Sequence, residues 1–127
     1  MILKRSYLSG REEILGEQPD QGLIEKAIAE TDWSQFAFLD LLIDDQNYLN
    51  GSGCLPDDGL SVLLSVNNVQ FVTEVAPTSP ADLVPYYLAY LNGQFADLYG
   101  MIFDAQNRGL TGFEVEELHL QEVRRQS

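Results

Sequence analysis

Apolar and polar positions along the chain recur with two periods, about 2 and about 3.6 residues, and the switches between them mark out the elements. From Leu60 to Ala76, LSVLLSVNNVQFVTEVA, two apolar-rich runs meet at Asn67-Asn68. Both central residues of a two-residue type I′ turn need φ > 0, which Asn tolerates better than any residue but Gly, so the pattern predicts a tight hairpin. With Val66 opposite Val69, Leu64 faces Phe71, Val62 faces Thr73 and Leu60 faces Val75, while Ser65 faces Gln70 and Ser61 faces Glu74. One face is apolar and the other mixed, as a half-buried antiparallel sheet requires.

Upstream, Ile2 to Leu8 alternates poorly and reads as an edge strand, and Gly10 to Gly16 as a loop. Pro19-Asp20 opens a helix capped by Asp20, with Leu23, Ile24, Ala27 and Ile28 as its buried stripe and Trp33 beyond its end as a core plug. Phe36 to Ile43 is apolar on both alternating faces except at Asp40, which suits an interior strand. A carboxylate there has four outcomes: the sheet's rim, a cation, a partner, or a second face that is partly wet. Asp44 to Asn47 makes a polar turn, Tyr48 to Asn50 a short returning strand ending in Gly51-Ser52-Gly53, and Cys54 to Gly59 a second turn region.

Downstream of the hairpin, Ser79-Pro80 starts a second helix, with Leu83, Val84, Tyr87, Leu88 and Leu91 as its stripe and Gly93 as its stop. Pro85 removes one intrahelical hydrogen bond, so its first turn should be kinked or tightened. Tyr86 and Tyr90 flank the stripe, where part of each ring could face water, a partner or the boundary of the core. Phe95 to Asp104 and Leu110 to Val115, around the turn 105–109, read as a second hairpin. Residues 116–123 fit either a bulged strand or a short helix. The order β-α-β-β-β-β-α-β-β predicts one α+β domain over residues 1–127, an antiparallel sheet of meanders and hairpins with two helices on one face.

Charge narrows the possible partners. The formal net charge is −13, and between Lys26 and Arg108 there is no Lys or Arg but eleven acidic residues. Such a field repels phosphate backbones and anionic lipid and speeds encounter with basic proteins, so nucleic acid and membrane surfaces are excluded as expected partners. Solubility alone would also account for the acidity. No apolar run suits a signal peptide or approaches the roughly 20 residues of a membrane span, and a lone Cys54 suits a reducing compartment, so a cytoplasmic location is expected.

Catalytic and metal patterns are weak. Asp45 onward fails the calcium-loop spacing at Leu49, Gly51-x-Gly53 lacks the rest of a dinucleotide fingerprint, and no phosphate loop occurs. The turns at 44–47 and 54–59 bracket one short strand, so their four aspartates lie toward opposite ends of it. His119 and Cys54 have no local pattern joining them as a dyad. The expectation is a protein that is not an enzyme and holds no cofactor or metal.

The helix with Ile24, Ala27 and Ile28, the strand pair FAFLDLLI and NYLNGSG, and the hairpin around Asn67-Asn68 together resemble the small acidic immunity proteins of bacterial toxin systems, over about residues 20–76. The resemblance implies a binding protein that holds off a cognate, often basic, toxin domain with an acidic surface. On that reading the candidate contact residues are Asp44, Asp45, Tyr48, Asp57, Asp58, Tyr86 and Tyr90. The alternatives are a structural subunit that self-associates through its sheet, for instance as a homodimer, and an enzyme-like domain binding a small ligand or metal.

Overall fold

The computed structural model describes residues 1–55, 59–73 and 77–103, and these form an α+β domain built on an antiparallel sheet. The strands are β1 (Ile2–Tyr7), β2 (Glu12–Glu17), β3 (Ala37–Asp44), β4 (Asn47–Cys54), β5 (Gly59–Val66) and β6 (Val69–Val72). Their spatial order is β2-β1-β3-β4-β5-β6. Helix α1 (Gln21–Glu30) joins β2 to β3; a 3₁₀ turn (Pro80–Leu83), α2 (Val84–Leu91) and α3 (Phe95–Phe103) follow the sheet. No helix among the described residues is long and apolar enough to cross a membrane.

The hairpin at Asn67-Asn68 has the register its pattern predicts, Val66 opposite Val69 and Leu64 opposite Phe71, with φ of 51° and 68° at the two asparagines. Its partners at Glu74 and Val75 lie outside the described residues. Asp20 caps α1 through Leu23 N at 2.8 Å, and Ile24, Ala27 and Ile28 are buried. Trp33 is a core residue whose indole N–H donates to Ile28 O at 3.0 Å.

Three expectations are corrected. First, β1 is an interior strand, because Glu12–Glu17, which the sequence suggests is loop, pairs with it as β2. Glu12, Glu13 and Glu17 hide the strand signal locally, but Arg5 pairs with Glu13 at 2.6 Å and Lys4 with Glu12 at 3.5 Å across the ladder. Second, Phe95–Phe103 is a helix, not a strand. Buried Phe95, Leu98 and Ile102 recur with helical spacing, while the continuous apolar run around them resembles a buried strand. The second half of the predicted hairpin, Leu110 to Val115, and the ambiguous stretch 116–123 lie outside the described residues, as does His119. Third, the returning strand β4 does not stop at Asn50 but runs through Gly51 and Gly53 to Cys54.

Pro85 falls in the first turn of α2, and the segment before it is tightened into the 3₁₀ turn, as removal of a helical donor predicts. Gly93 stops α2 with φ of 70°. The buried arc of α2 is turned from its predicted stripe toward Ala89 and Tyr90, leaving Leu88 half-buried, because the helix touches both α1 and α3. Leu83, Tyr87, Ala89 and Tyr90 are buried, and Val84 and Leu91 pack partly against the same core.

The sheet has two unlike faces. Toward the helices stand Leu3, Leu41, Leu49, Leu64 and Phe71 in one row, with Leu39, Gly51 and Val62 in the next. The Tyr87 hydroxyl sits over the Leu39–Gly51 pair, accepting from Gly51 N at 2.7 Å and donating to Leu39 O at 2.6 Å. Burial pushes this phenol far above its ordinary range, so it stays neutral and serves as a donor. A Cβ at position 51 would collide with that hydroxyl, which is why glycine stands in the middle of an interior strand.

Candidate functional site

The other face of the sheet carries no described helix. Strand register arranges it in three rows: Glu17, Ile2, Leu42, Tyr48, Ser65, Gln70; then Ile14, Lys4, Asp40, Asn50, Leu63, Val72; then Glu12, Ser6, Phe38, Ser52, Ser61. The alternation that buries Leu39 and Leu41 puts Phe38, Asp40 and Leu42 on this side. In these rows, among the described residues, Lys4 is the one cation against Glu12, Glu17 and Asp40.

A groove of about 370 Å³ opens at the centre, lined by Lys4, Asp40, Leu42, Asp45, Tyr48, Asn50 and Leu63. Its polar groups are placed by cross-strand pairing. Asp40 stands opposite Asn50, whose amide donates to Asp40 Oδ1, and opposite Lys4 on the other side. Partial burial raises the Asp40 pKa, and Glu12 adds to the rise, while the Asn50 hydrogen bond and the Lys4 charge oppose it. Lys4 itself is shared with Glu12. The Tyr48 hydroxyl accepts from Gln70 Nε2 at 3.1 Å, which steadies the ring along one side of the groove. Leu42 and Leu63 supply the apolar part of the lining.

The rim of the groove at Asp45 is set by two turns fastened together. Asp44 Oδ1 accepts from Gln46 N at 2.8 Å and from Asn47 Nδ2 at 3.0 Å, closing the β3–β4 turn. Asn47 is buried, and its Oδ1 accepts from Asn67 N at 2.8 Å; Asn68 N and Ser65 Oγ both donate to Gln46 O, at 3.1 and 2.9 Å. The hairpin turn at Asn67-Asn68 therefore braces the turn that carries Asp45. Asp45 itself is exposed at the mouth of the groove.

The structure divides the predicted contact residues. Asp44, Asp45 and Tyr48 come together, with Asp44 closing the turn and the other two lining the groove. Tyr86 lies in the helical layer on the far side of the sheet, half-buried, its pKa raised by burial and by Asp82. Tyr90 is corrected: it is 2% exposed and packs edge-on against Phe95 at 5.8 Å, because α3 covers that side of α2. Asp57 and Asp58 lie outside the described residues. Sequence reasoning did not find Lys4, Asn50 and Leu63 as groove residues, since only strand order places them beside Asp40. The one signal was Asp40 itself, a carboxylate in an apolar strand.

Among the described residues, no three His, Cys, Asp or Glu side chains gather as a metal-binding group. Comparison of the chain with family models, with curated proteins and with solved structures found no match. The arrangement offers recognition: a half-desolvated carboxylate with an amide beside it, a tyrosine, an apolar floor and an acidic rim.

Proposed function

We propose that the protein is a non-catalytic binding module that engages a basic protein through the open face of its sheet, in the manner of an acidic immunity-type inhibitor. The observation that carries this reading is the pairing of charge with topography. The segment between Lys26 and Arg108 contains no cation, and its Asp40, Asp45 and Tyr48 line the groove at the centre of a sheet face that no described helix covers. Interfaces of this kind combine a partly desolvated centre with a charged rim that speeds encounter.

The test is capture of binding proteins by the tagged full chain at low salt and then at high salt, with the retained proteins identified. A single basic protein, held at low salt, released at high salt and lost on Asp45→Lys, supports the reading. Unchanged affinity in Asp45→Lys and Glu12→Lys removes the open face from any interface.

Self-association through the same face is the competing reading. It is favoured by Ile2, Ile14 and Val72, which are 37%, 63% and 41% exposed on that face. A sedimentation coefficient that stays at the monomer value as protein concentration rises rejects it.

A further inference from the structure

Resting on the binding reading above, we infer that the groove between Lys4, Asp40, Tyr48 and Leu63 is a receptor for one lysine or arginine side chain of the basic partner. Three features of the groove select that occupant. Its volume of about 370 Å³ lies near the lower end of ligand-site sizes, roughly 300–1,000 Å³, which suits one long side chain better than a large ligand. Its lining joins apolar Leu42 and Leu63 to the half-buried Asp40, and the exposed Asp45 stands at its mouth. Long cationic side chains bury their methylene stems on apolar surface while the charged head meets acidic groups.

Charge points the same way. Lys4 and Asp40 together are neutral, and Glu12, which forms an ion pair with Lys4, and Asp45, at the rim, leave the site with two net negative charges. An anionic occupant meets Asp40 and Asp45 with one shared cation to offset them. A neutral occupant leaves a half-desolvated carboxylate with only Asn50 and the shared Lys4 beside it. A cation meets Asp40 at its most desolvated, where a charge-assisted hydrogen bond is strongest. The occupant's ammonium or guanidinium donates to the Asp40 carboxylate, its stem lies along Leu42 and Leu63, Tyr48 forms the side wall, and Asp45 at the rim adds attraction at longer range.

The probe is n-butylguanidinium, titrated into the isotopically labelled full chain and followed by amide and side-chain shifts, with n-butylurea as its uncharged counterpart. The expected result is saturable perturbation centred on Lys4, Asp40, Tyr48, Asn50 and Leu63, absent with n-butylurea. Asp40→Asn should weaken binding at least about tenfold, as loss of a partly desolvated charge pair does. Asp45→Asn, at an exposed turn position where the fold is not at risk, should weaken it by about threefold. Asp97→Asn, on the exposed side of α3, should leave it unchanged. Perturbations spread over the acidic surface and equal in wild type and Asp40→Asn overturn the assignment. The two proposals fail separately: a basic protein captured by a chain whose groove ignores n-butylguanidinium overturns the receptor and leaves the binding module standing.

Discussion

The two faces of the sheet are drawn from the same strands, residue by alternate residue, and they solve opposite problems. Leu39 and Leu41 face the helices and are fully buried, while Asp40 and Leu42, their immediate neighbours, face the open side and are half-buried. On the helix side polar groups are paired within the protein: the Tyr87 hydroxyl takes both Gly51 N–H and Leu39 C=O, and the Trp33 indole takes Ile28 C=O. On the open side the polar groups are only partly matched, with one lysine shared between Asp40 and Glu12. The contrast teaches where to look for function. A face whose hydrogen bonds and volume are complete can only stabilise, whereas a face with apolar area and a destabilised charge has binding energy left to offer a partner.

The contrast can be broken most directly with adjacent residues. Leu41→Ala should lower unfolding free energy by about 3 kcal/mol, through lost transfer energy and a residual cavity, whereas Leu42→Ala should cost below about 1 kcal/mol. Denaturant titration of both variants checks it, and equal losses would mean that the open face is as closely packed as the other. Next in size is the tyrosine bridge. Tyr87→Phe leaves a buried donor and acceptor unpaired and should cost about 2 kcal/mol. Gly51→Ala forces the ring away and should cost a similar amount. Because the alanine methyl collides mainly with the hydroxyl, the double variant should lose less than the sum of the two.

The smallest effect should have the opposite sign. Asp40 keeps its proton to higher pH in the folded chain than in the unfolded one, because burial raises its pKa. The folded state therefore binds more protons between the ordinary carboxylate pKa and the raised one, and wild-type stability from this group is present at low pH and lost as pH rises through the raised value. Asp40→Asn, which can still accept from Asn50, should therefore melt slightly higher than wild type at pH 7, with the advantage vanishing near pH 4. Thermal melts at the two pH values decide it. A lower melting temperature at pH 7 would mean that Asn50 and Lys4 more than offset the cost of burying the carboxylate. A gain in stability paired with a loss of binding would mark Asp40 as retained for recognition.

Local signals made much of this molecule legible. The hairpin register, the Asp20 cap, the Trp33 plug and the Gly93 stop each depend on residues within a few positions of one another, and each is found as read. Strand β2 was hidden because its three glutamates look solvated until Lys4 and Arg5 of β1 form ion pairs with two of them. Helix α3 reads as a strand because the continuous apolar run 98–103 masks the helical spacing of Phe95, Leu98 and Ile102. The site was half legible: Asp40 was conspicuous in its strand and the acidic turn was visible, but the helical spacing that sets Tyr86 and Tyr90 beside the stripe of α2 does not show which face of the sheet that helix covers or that α3 buries Tyr90.

What the sequence by itself determined is therefore the α+β class, the alternating strands, the turn chemistry and the sign of the surface charge, because each follows from side chains interacting over short separations or summed over the whole. Strand order, the partner of each charge and the depth of each tyrosine were decided only by tertiary structure. Asp40 meets Lys4 and Asn50 because β1 and β4 flank β3, and Tyr87 reaches Gly51 across 36 residues. Such contacts depend on how the faces of separate elements fill one another's space, a condition on packing that no single stretch of sequence contains.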